Sequence, residues 1–340
     1  MTPETSASAG PAIGLNVGIY LDLRNPPQWR RDWSRVYAFG LEVCEEAERL
    51  GAHSVWLSEH HLFDDGYLPQ PLTFAAAVAA RTRRIRIGTA VLIAPFRPAI
   101  ELAEDAAIVD AISGGRLDLG LGAGYRRPEF DSYGVDFTRR YTDTDERVRA
   151  LRGLWRDSRV LPAPIQDPVP IWLGYNGPRG AHRAGLLGEG LLSISPDLYA
   201  PYRQGLIEGG HDPASARMAG VVNAFVTDDP ERDWPIVARQ HAYQWDSYRH
   251  HMVEGTDAPA PRPIDPERSR AAGLTSAMGG LLYGTPDDVA ATIAKHTIGI
   301  PARTVFLWAS LGGMDEATTI RHVQTICQQL APMLRRANVA

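Results

Sequence analysis

The chain has 340 residues, 44% of them hydrophobic, and a formal charge of -5 from 35 Lys and Arg against 40 Asp and Glu. That length can bury a full core, and the mild charge, with no Lys/Arg run or aromatic-interleaved basic patch, excludes a nucleic-acid surface. No apolar run approaches the roughly 18 residues needed to span a bilayer, and two isolated cysteines, Cys44 and Cys327, fit a reducing cytoplasm rather than a disulfide framework or a zinc site.

Residues 1–13 are small and polar, without the basic or apolar segments of a signal peptide, and read as a disordered leader. Gly14 to Tyr20 alternates Leu15, Val17 and Ile19, which predicts the first strand. Val36, Phe39, Val43, Ala47 and Leu50 then recur at helical spacing until Gly51 stops them. The apolar run Val55–Trp56–Leu57 follows and ends in Ser58–Glu59–His60–His61, a strand carrying a carboxylate and two imidazoles at its carboxyl end. Asp64–Gln70 is a turn-rich loop, Pro71 to Arg81 an alanine-rich helix, and Ile85 to Val91 the third strand, closed by Pro95 and Pro98. Ile100 to Ile112 is helical and stops at Ser113–Gly114–Gly115. Arg116 to Gly122 alternates leucines as the fourth strand and runs into Gly122–Ala123–Gly124–Tyr125.

After a loop, a helix is expected over Thr142 to Trp155, then strand and helix at Pro168 to Leu173 and Pro178 to Leu187. The sixth strand is Gly190 to Ile194, followed by a helix over Leu198 to Glu208, and the seventh strand is Ala219 to Val226. Pro230 to Glu254 is helical and leads into a Pro-rich stretch, Ala258 to Pro266, expected to be mobile. Thr285–Pro286–Asp287–Asp288 opens a helix with Thr285 as N-cap, Pro286 at N1 and two acids favouring the dipole. Val305 to Trp308 is the last strand and Ile320 to Leu334 the last helix. Eight strands, each followed by a helix and apolar on both faces, predict one α/β domain over 14–340. Its form is a single (β/α)8 TIM barrel with an insertion at about 234–284, before the eighth βα unit. An open doubly wound sheet is the alternative, because closure leaves no mark in the pattern.

In such a barrel, ligands and chemistry collect at the carboxyl ends of the strands. Glu59, His60 and His61 are therefore the candidate catalytic residues, since an imidazole moves a proton near neutral pH. Neighbours on a strand point to opposite sides, so one histidine of the two is expected to face the cavity. The competing reading is a pair of histidines that cap the strand against backbone. A metal would need ligands from other strand ends, where His182, His211 and His241 do not fall, so no metal site is expected. Gly174–Tyr175–Asn176–Gly177–Pro178–Arg179–Gly180 leaves the fifth strand and enters a helix with Asn176 or Gly177 as N-cap. The free amides of Arg179 and Gly180, with the Arg179 side chain, would form an anion site, or else the turn is a capped helix without a ligand. The small residues from Gly122 to Gly124 would let a planar ring approach the backbone. Arg81, Arg83, Arg84 and Arg116 precede strands and belong to the opposite, stabilising face.

Four segments carry a resemblance: 50–61, ending in Glu59–His60–His61, Arg83 to Val91, Ser113 to Gly122, and Pro170–Ile171–Trp172–Leu173–Gly174. In this order and spacing, over roughly Gly14 to Leu334, the chain resembles the luciferase-like flavin monooxygenases. The resemblance implies a reduced FMN, supplied by a separate flavin reductase, on which O2 forms a C4a-hydroperoxide that oxidises a small organic substrate. A subset of that family uses the deazaflavin F420 for hydride transfer, and a third role is a flavin-binding protein without catalysis, against which the retained histidines argue. The resemblance also implies a non-proline cis peptide at Ala90–Val91 against the flavin ring, with Gly122 and Tyr125 beside it. It places the phosphate at Gly174, Asn176, Arg179 and Gly180, with Ser193 as a weaker ligand. Relatives often carry Arg where this chain has Ala123; Arg139 and Arg140 would supply that charge, or would form an exposed basic start to a helix. Finally, it implies a homodimer through helices of the first half, where the alanine-rich run Ala75 to Ala80 allows close approach.

Overall fold

The computed structural model describes residues 14–275 and 279–337, so the leader expected at 1–13 lies outside the described residues. The chain begins with β1 (Asn16–Leu21), α1 (Trp33–Arg49), β2 (Ser54–Leu57), α2 (Pro71–Arg81), β3 (Arg86–Thr89) and a short β4 (Leu92–Ile93). It continues with α3 (Ala99–Ser113), β5 (Leu117–Gly122), α4 (Arg127–Tyr133), α5 (Arg140–Arg156), β6 (Ile171–Leu173), α6 (Gly177–Leu186), β7 (Gly190–Leu192) and α7 (Tyr199–Glu208). The last part holds β8 (Met218–Val222), β9 (Ala224–Val226), α8 (Pro230–Val253), α9 (Pro266–Ala272), β10 (Leu282–Gly284), α10 (Pro286–His296), β11 (Ala302–Trp308), α11 (Glu316–Thr325) and α12 (Ala331–Ala337).

Eight strands pair in parallel in the order β1, β2, β3, β5, β6, β7, β8, β11, and β11 returns to β1 with Asn16 opposite Thr304. The β3–β5 pairing, Ile87 opposite Leu117, completes the closure, so the open-sheet alternative is set aside. Inside, large rings meet small residues. Trp56 stacks on Phe306 at 4.7 Å and meets Trp172 edge-on at 6.2 Å. A Cβ at Gly88 would collide with the Trp56 indole and one at Gly190 with that of Trp172. Bare backbone on neighbouring strands is what makes room for the two indoles.

The fold departs from the sequence expectation in four places. The third strand ends at Thr89, and the chain crosses a cis peptide, Ala90–Val91, before resuming as β4 against β5. The expected seventh strand is two: β9 leaves the barrel and pairs with β10, because Asn223 donates its amide to the Gly280 carbonyl and accepts Leu282 N–H at 2.9 Å through its own carbonyl. The loop after β5 holds α4, too short for helical periodicity to show and closed by Gly134 in the left-handed region. The final helix begins at Glu316, because Asp315 caps it by accepting Thr318 N–H at 2.9 Å.

Helix α8 is fastened beside the carboxyl ends of the first two strands by the buried Arg24. Its Nε donates to Asp65 Oδ2 at 2.6 Å, its other nitrogens reach Ser247 Oγ and the Gln244 carbonyl on α8, and the rings of Phe63, Tyr67, Tyr243 and Tyr248 lie 5.3–5.7 Å away. Among the described residues, no helix is long and apolar enough to cross a membrane.

Candidate active site

The carboxyl ends of the barrel strands surround a cavity of about 350 Å³, within the range of small-molecule sites. Tyr20 enters from β1, Ser58, Glu59 and His60 from the end of β2, Trp308 from β11, and Trp245 and Tyr248 from α8. Val91 rests against the backbone of two strand ends: a Cβ at either Gly122 or Gly174 would collide with its methyl groups. The Ala90 carbonyl at the cis peptide accepts the Tyr20 hydroxyl. Burial, with Asp22 adding, pushes the Tyr20 phenol above its ordinary range, so it stays a donor.

Past the end of β2 the chain sends the two histidines to different places. His60 lines the cavity: its Nδ1 lies 3.0 Å from Glu129 Oε1, its Nε2 lies 3.1 Å from the Tyr125 hydroxyl, and its ring stacks on Phe63 at 4.7 Å. His61 turns into the wall, with Nε2 at 2.7 Å from Glu59 Oε1 and its ring beside Phe96 and Tyr133. Glu59 touches the cavity but is already saturated, accepting from Arg97 at 2.8 Å and from Ile93 N–H at 2.7 Å besides His61. Both histidines and the carboxylate are buried, so hydrogen bonds set their roles rather than solvent.

The sequence-predicted cofactor residues divide. Ala90, Val91, Gly122, Tyr125, Gly174 and Asn176 line the cavity. Arg139 does not: it is exposed just before α5 and paired with Asp143 at 3.1 Å and Glu146 at 3.3 Å on that helix. Its neighbour Arg140 is the one at the cavity. That guanidinium lines the cavity, lies 4.0 Å from the Phe137 ring and 4.9 Å from that of Tyr141, and keeps a buried Nε with no partner. Arg179 is exposed in a separate depression between α6 and α7 with His182 and Gln204, because the first turn of α6 directs it outward. Gly180 packs against Tyr175 below the turn, and Ser193 accepts Ser195 N–H at 3.1 Å rather than facing the cavity. Asn176 caps α6 by position only, since its side chain makes no cap bond.

Sequence reasoning missed Glu129, Tyr20, Trp245, Tyr248 and Trp308. The aromatic residues sit in ordinary strand and helix patterns that do not mark a site. Glu129 carried one signal, a carboxylate following Arg–Arg–Pro just after the Gly-Ala-Gly-Tyr turn, and α4 turns it inward until it is fully buried.

A model of the luciferase-like monooxygenase family matches residues 17–300. The oxygenase component of a flavin-dependent trigonelline monooxygenase from Acinetobacter baylyi is 32% identical over 160 residues, 42% of this chain and 44% of that protein. An F420-dependent glucose-6-phosphate dehydrogenase from Amycolatopsis mediterranei is 34% identical over 176 residues, 46% of this chain and 53% of that one. The chain thus spans about half the length of these curated relatives. Among solved structures, monooxygenase RslO1 from Streptomyces bottropensis is similar with a TM-score of 0.77 and 26% identity, over 94% of this chain and 99% of that one. The oxygenating constituent of 3,6-diketocamphane monooxygenase from Pseudomonas putida, in complex with FMN, shares the fold at a TM-score of 0.72 and 18% identity, over 94% and 98%.

Proposed function

The chain belongs to the luciferase-like monooxygenase family, and from that membership we propose that it is an FMN-dependent monooxygenase acting on a small organic molecule. The observation that carries the reading is the cavity itself, walled by aromatic rings, with one arginine and one imidazole in its lining. Arg140 is the only Lys or Arg among the described residues that lines it. Its buried, unpartnered Nε is an orphan donor that an anionic group would satisfy. The residues present therefore fit a planar cofactor with a phosphate. Likeness to a monooxygenase over nearly the whole chain supports the oxygenase side.

Bound reduced FMN supplies the electrons that activate O2. The chain's own part is to bind, to exclude water and to move a proton. Arg140 would hold the phosphate, with Gly174 and Asn176 lining the same cavity. Val91, seated on Gly122 and Gly174, offers a rigid apolar surface. Tyr20, Trp245, Tyr248 and Trp308 exclude water from the reacting face. His60 Nε2, beside the Tyr125 hydroxyl, is the atom that accepts or returns a proton. A flavin reductase as the electron source, O2 as co-substrate and a cytoplasmic setting belong to the same proposal.

The F420-dependent relative favours a second reading, a dehydrogenase in which hydride transfer replaces oxygen chemistry. Fluorescence titration with oxidised FMN, reduced FMN and F420 separates them. Binding of FMN without F420 is the expected result; binding of F420 alone would replace the oxygenase with the dehydrogenase.

A further inference from the structure

A fully buried carboxylate is costly unless something compensates it. Glu129 is 0% exposed, and among the described residues no Arg or Lys pairs with it. Its Oε2 has no partner at all, while Oε1 accepts the backbone N–H of His61 at 2.8 Å and lies 3.0 Å from His60 Nδ1. Holding the His61 amide alone would need only a neutral acceptor, which costs far less to bury. Of the groups in contact with this carboxyl, His60 is the one that can become positive.

Hydrogen-bond logic then fixes where the proton sits. With Glu129 ionised, its oxygens only accept, so His60 Nδ1 carries the hydrogen that it shares with Oε1. A neutral imidazole has a single ring proton, which leaves Nε2 bare. Nε2 lies 3.1 Å from the Tyr125 oxygen, and burial together with Glu129 pushes that phenol above its ordinary range, so Tyr125 is the donor. The result is a line from the cavity to the wall: Tyr125 O–H to Nε2, and Nδ1–H to Glu129.

We propose that Glu129 is a positioning residue that acts through His60, pinning the imidazole with its proton on Nδ1 and its lone pair on Nε2 toward Tyr125 and the cavity. When Nε2 takes a proton, the ring becomes an imidazolium, no bond to Glu129 breaks, and the carboxylate balances the new charge without itself being protonated. The catalytic use of this arrangement rests on His60 being the proton-handling group of the proposed oxygenase; the tautomer itself does not.

The test is nitrogen NMR on the full chain labelled with ¹⁵N-histidine, at mildly alkaline pH. The His60 signals are identified by their loss in His60→Gln. The wild type should show Nδ1 protonated and Nε2 bare. Glu129→Gln keeps an oxygen acceptor and should keep that tautomer, whereas Glu129→Ala should move His60 to a mixture or to Nε2–H. Tyr125→Phe should leave it on Nδ1, because Glu129 and not Tyr125 sets the choice. A bare Nδ1 or a doubly protonated ring in the wild type overturns the proposal, and so does a tautomer that follows Tyr125 instead of Glu129. If Glu129→Ala fails to fold, the wild-type spectrum and Tyr125→Phe still decide. FMN titration of the same wild-type sample tests the cofactor reading separately. Absence of FMN binding would sink the oxygenase but not the tautomer, and a bare Nδ1 in a chain that binds FMN would sink only the tautomer.

Discussion

His60 and His61 are identical residues one position apart, and their surroundings give them different work. His60 meets the cavity, while His61 braces Glu59 and Arg97 inside the wall. Replacing His60 with Ala should lower turnover on an identified substrate by about 10²- to 10⁴-fold, roughly 3 to 5 kcal/mol in the barrier, as for loss of a proton-handling group. His61→Ala should act more mildly and mainly through stability. Equal losses in the two variants, or none in either, would refute the assignment. The same contrast holds for the arginines. Arg140→Ala would remove the proposed charge-assisted contact to a phosphate, worth about 1.5 to 3 kcal/mol, and should weaken FMN by roughly 10- to 100-fold. Riboflavin, which lacks the phosphate, should bind almost as before, and Arg179→Ala should change neither ligand. Dissociation constants for both flavins check this, and a loss confined to Arg179→Ala would return the phosphate to the turn at α6.

At the scale of elements, buried histidines tie the second half together. His322 on α11 accepts Val226 N–H from β9 at 3.1 Å on Nε2, donates to the Ala309 carbonyl at 3.2 Å from Nδ1, and stacks on Phe225 at 3.9 Å. Burial pushes it from the usual 6.5 down to about 4, and His241 on α8 is pushed down to about 4 by the same cause. In both, the unfolded chain binds the proton more readily. Stability from the neutral ring is therefore intact above about pH 6.5 and is lost as pH falls toward 4. The full drop is on the order of 3 kcal/mol for each. Asp22 works the other way: burial raises its carboxyl to about 7, so its contribution fades as pH rises between the ordinary carboxylate range and 7. The difference between wild type and His322→Gln isolates the histidine. Urea midpoints of the wild type should fall more steeply than those of the variant between pH 6.5 and 4, and parallel curves would show that His322 does not titrate there.

For the molecule as a whole, the outer face of α3 stands out. Ile100, Ile108 and Ile112 are 46%, 44% and 48% exposed and share one side of the helix, next to the alanine-rich α2. Apolar residues clustered this way on a helix face suit contact with another chain. We expect a homodimer through this region of the first half, at twice 37.2 kDa in sedimentation, and a shift toward monomer in Ile108→Glu. A wild type that sediments only as a monomer at micromolar concentration would rule this out.

The sequence by itself determined the barrel's parts: apolar strands alternating with helices, the Glu59–His60–His61 tip, the Gly122 turn and the Thr285 cap all stand where the pattern puts them. These features are local, since periodicity, capping residues and glycine positions act within a few residues along the chain. Closure of the sheet, the outward turn at Asn223, the inward burial of Glu129, and the placing of Arg140 rather than Arg139 or Arg179 at the cavity were decided only by the tertiary structure. Each depends on which distant groups meet. The β1–β11 pairing joins residues nearly three hundred positions apart, and His60 finds Glu129 across 69 residues. A side chain's role at a site follows from its partners in space, and these are chosen when the barrel closes and packs, not by the neighbours it has in sequence.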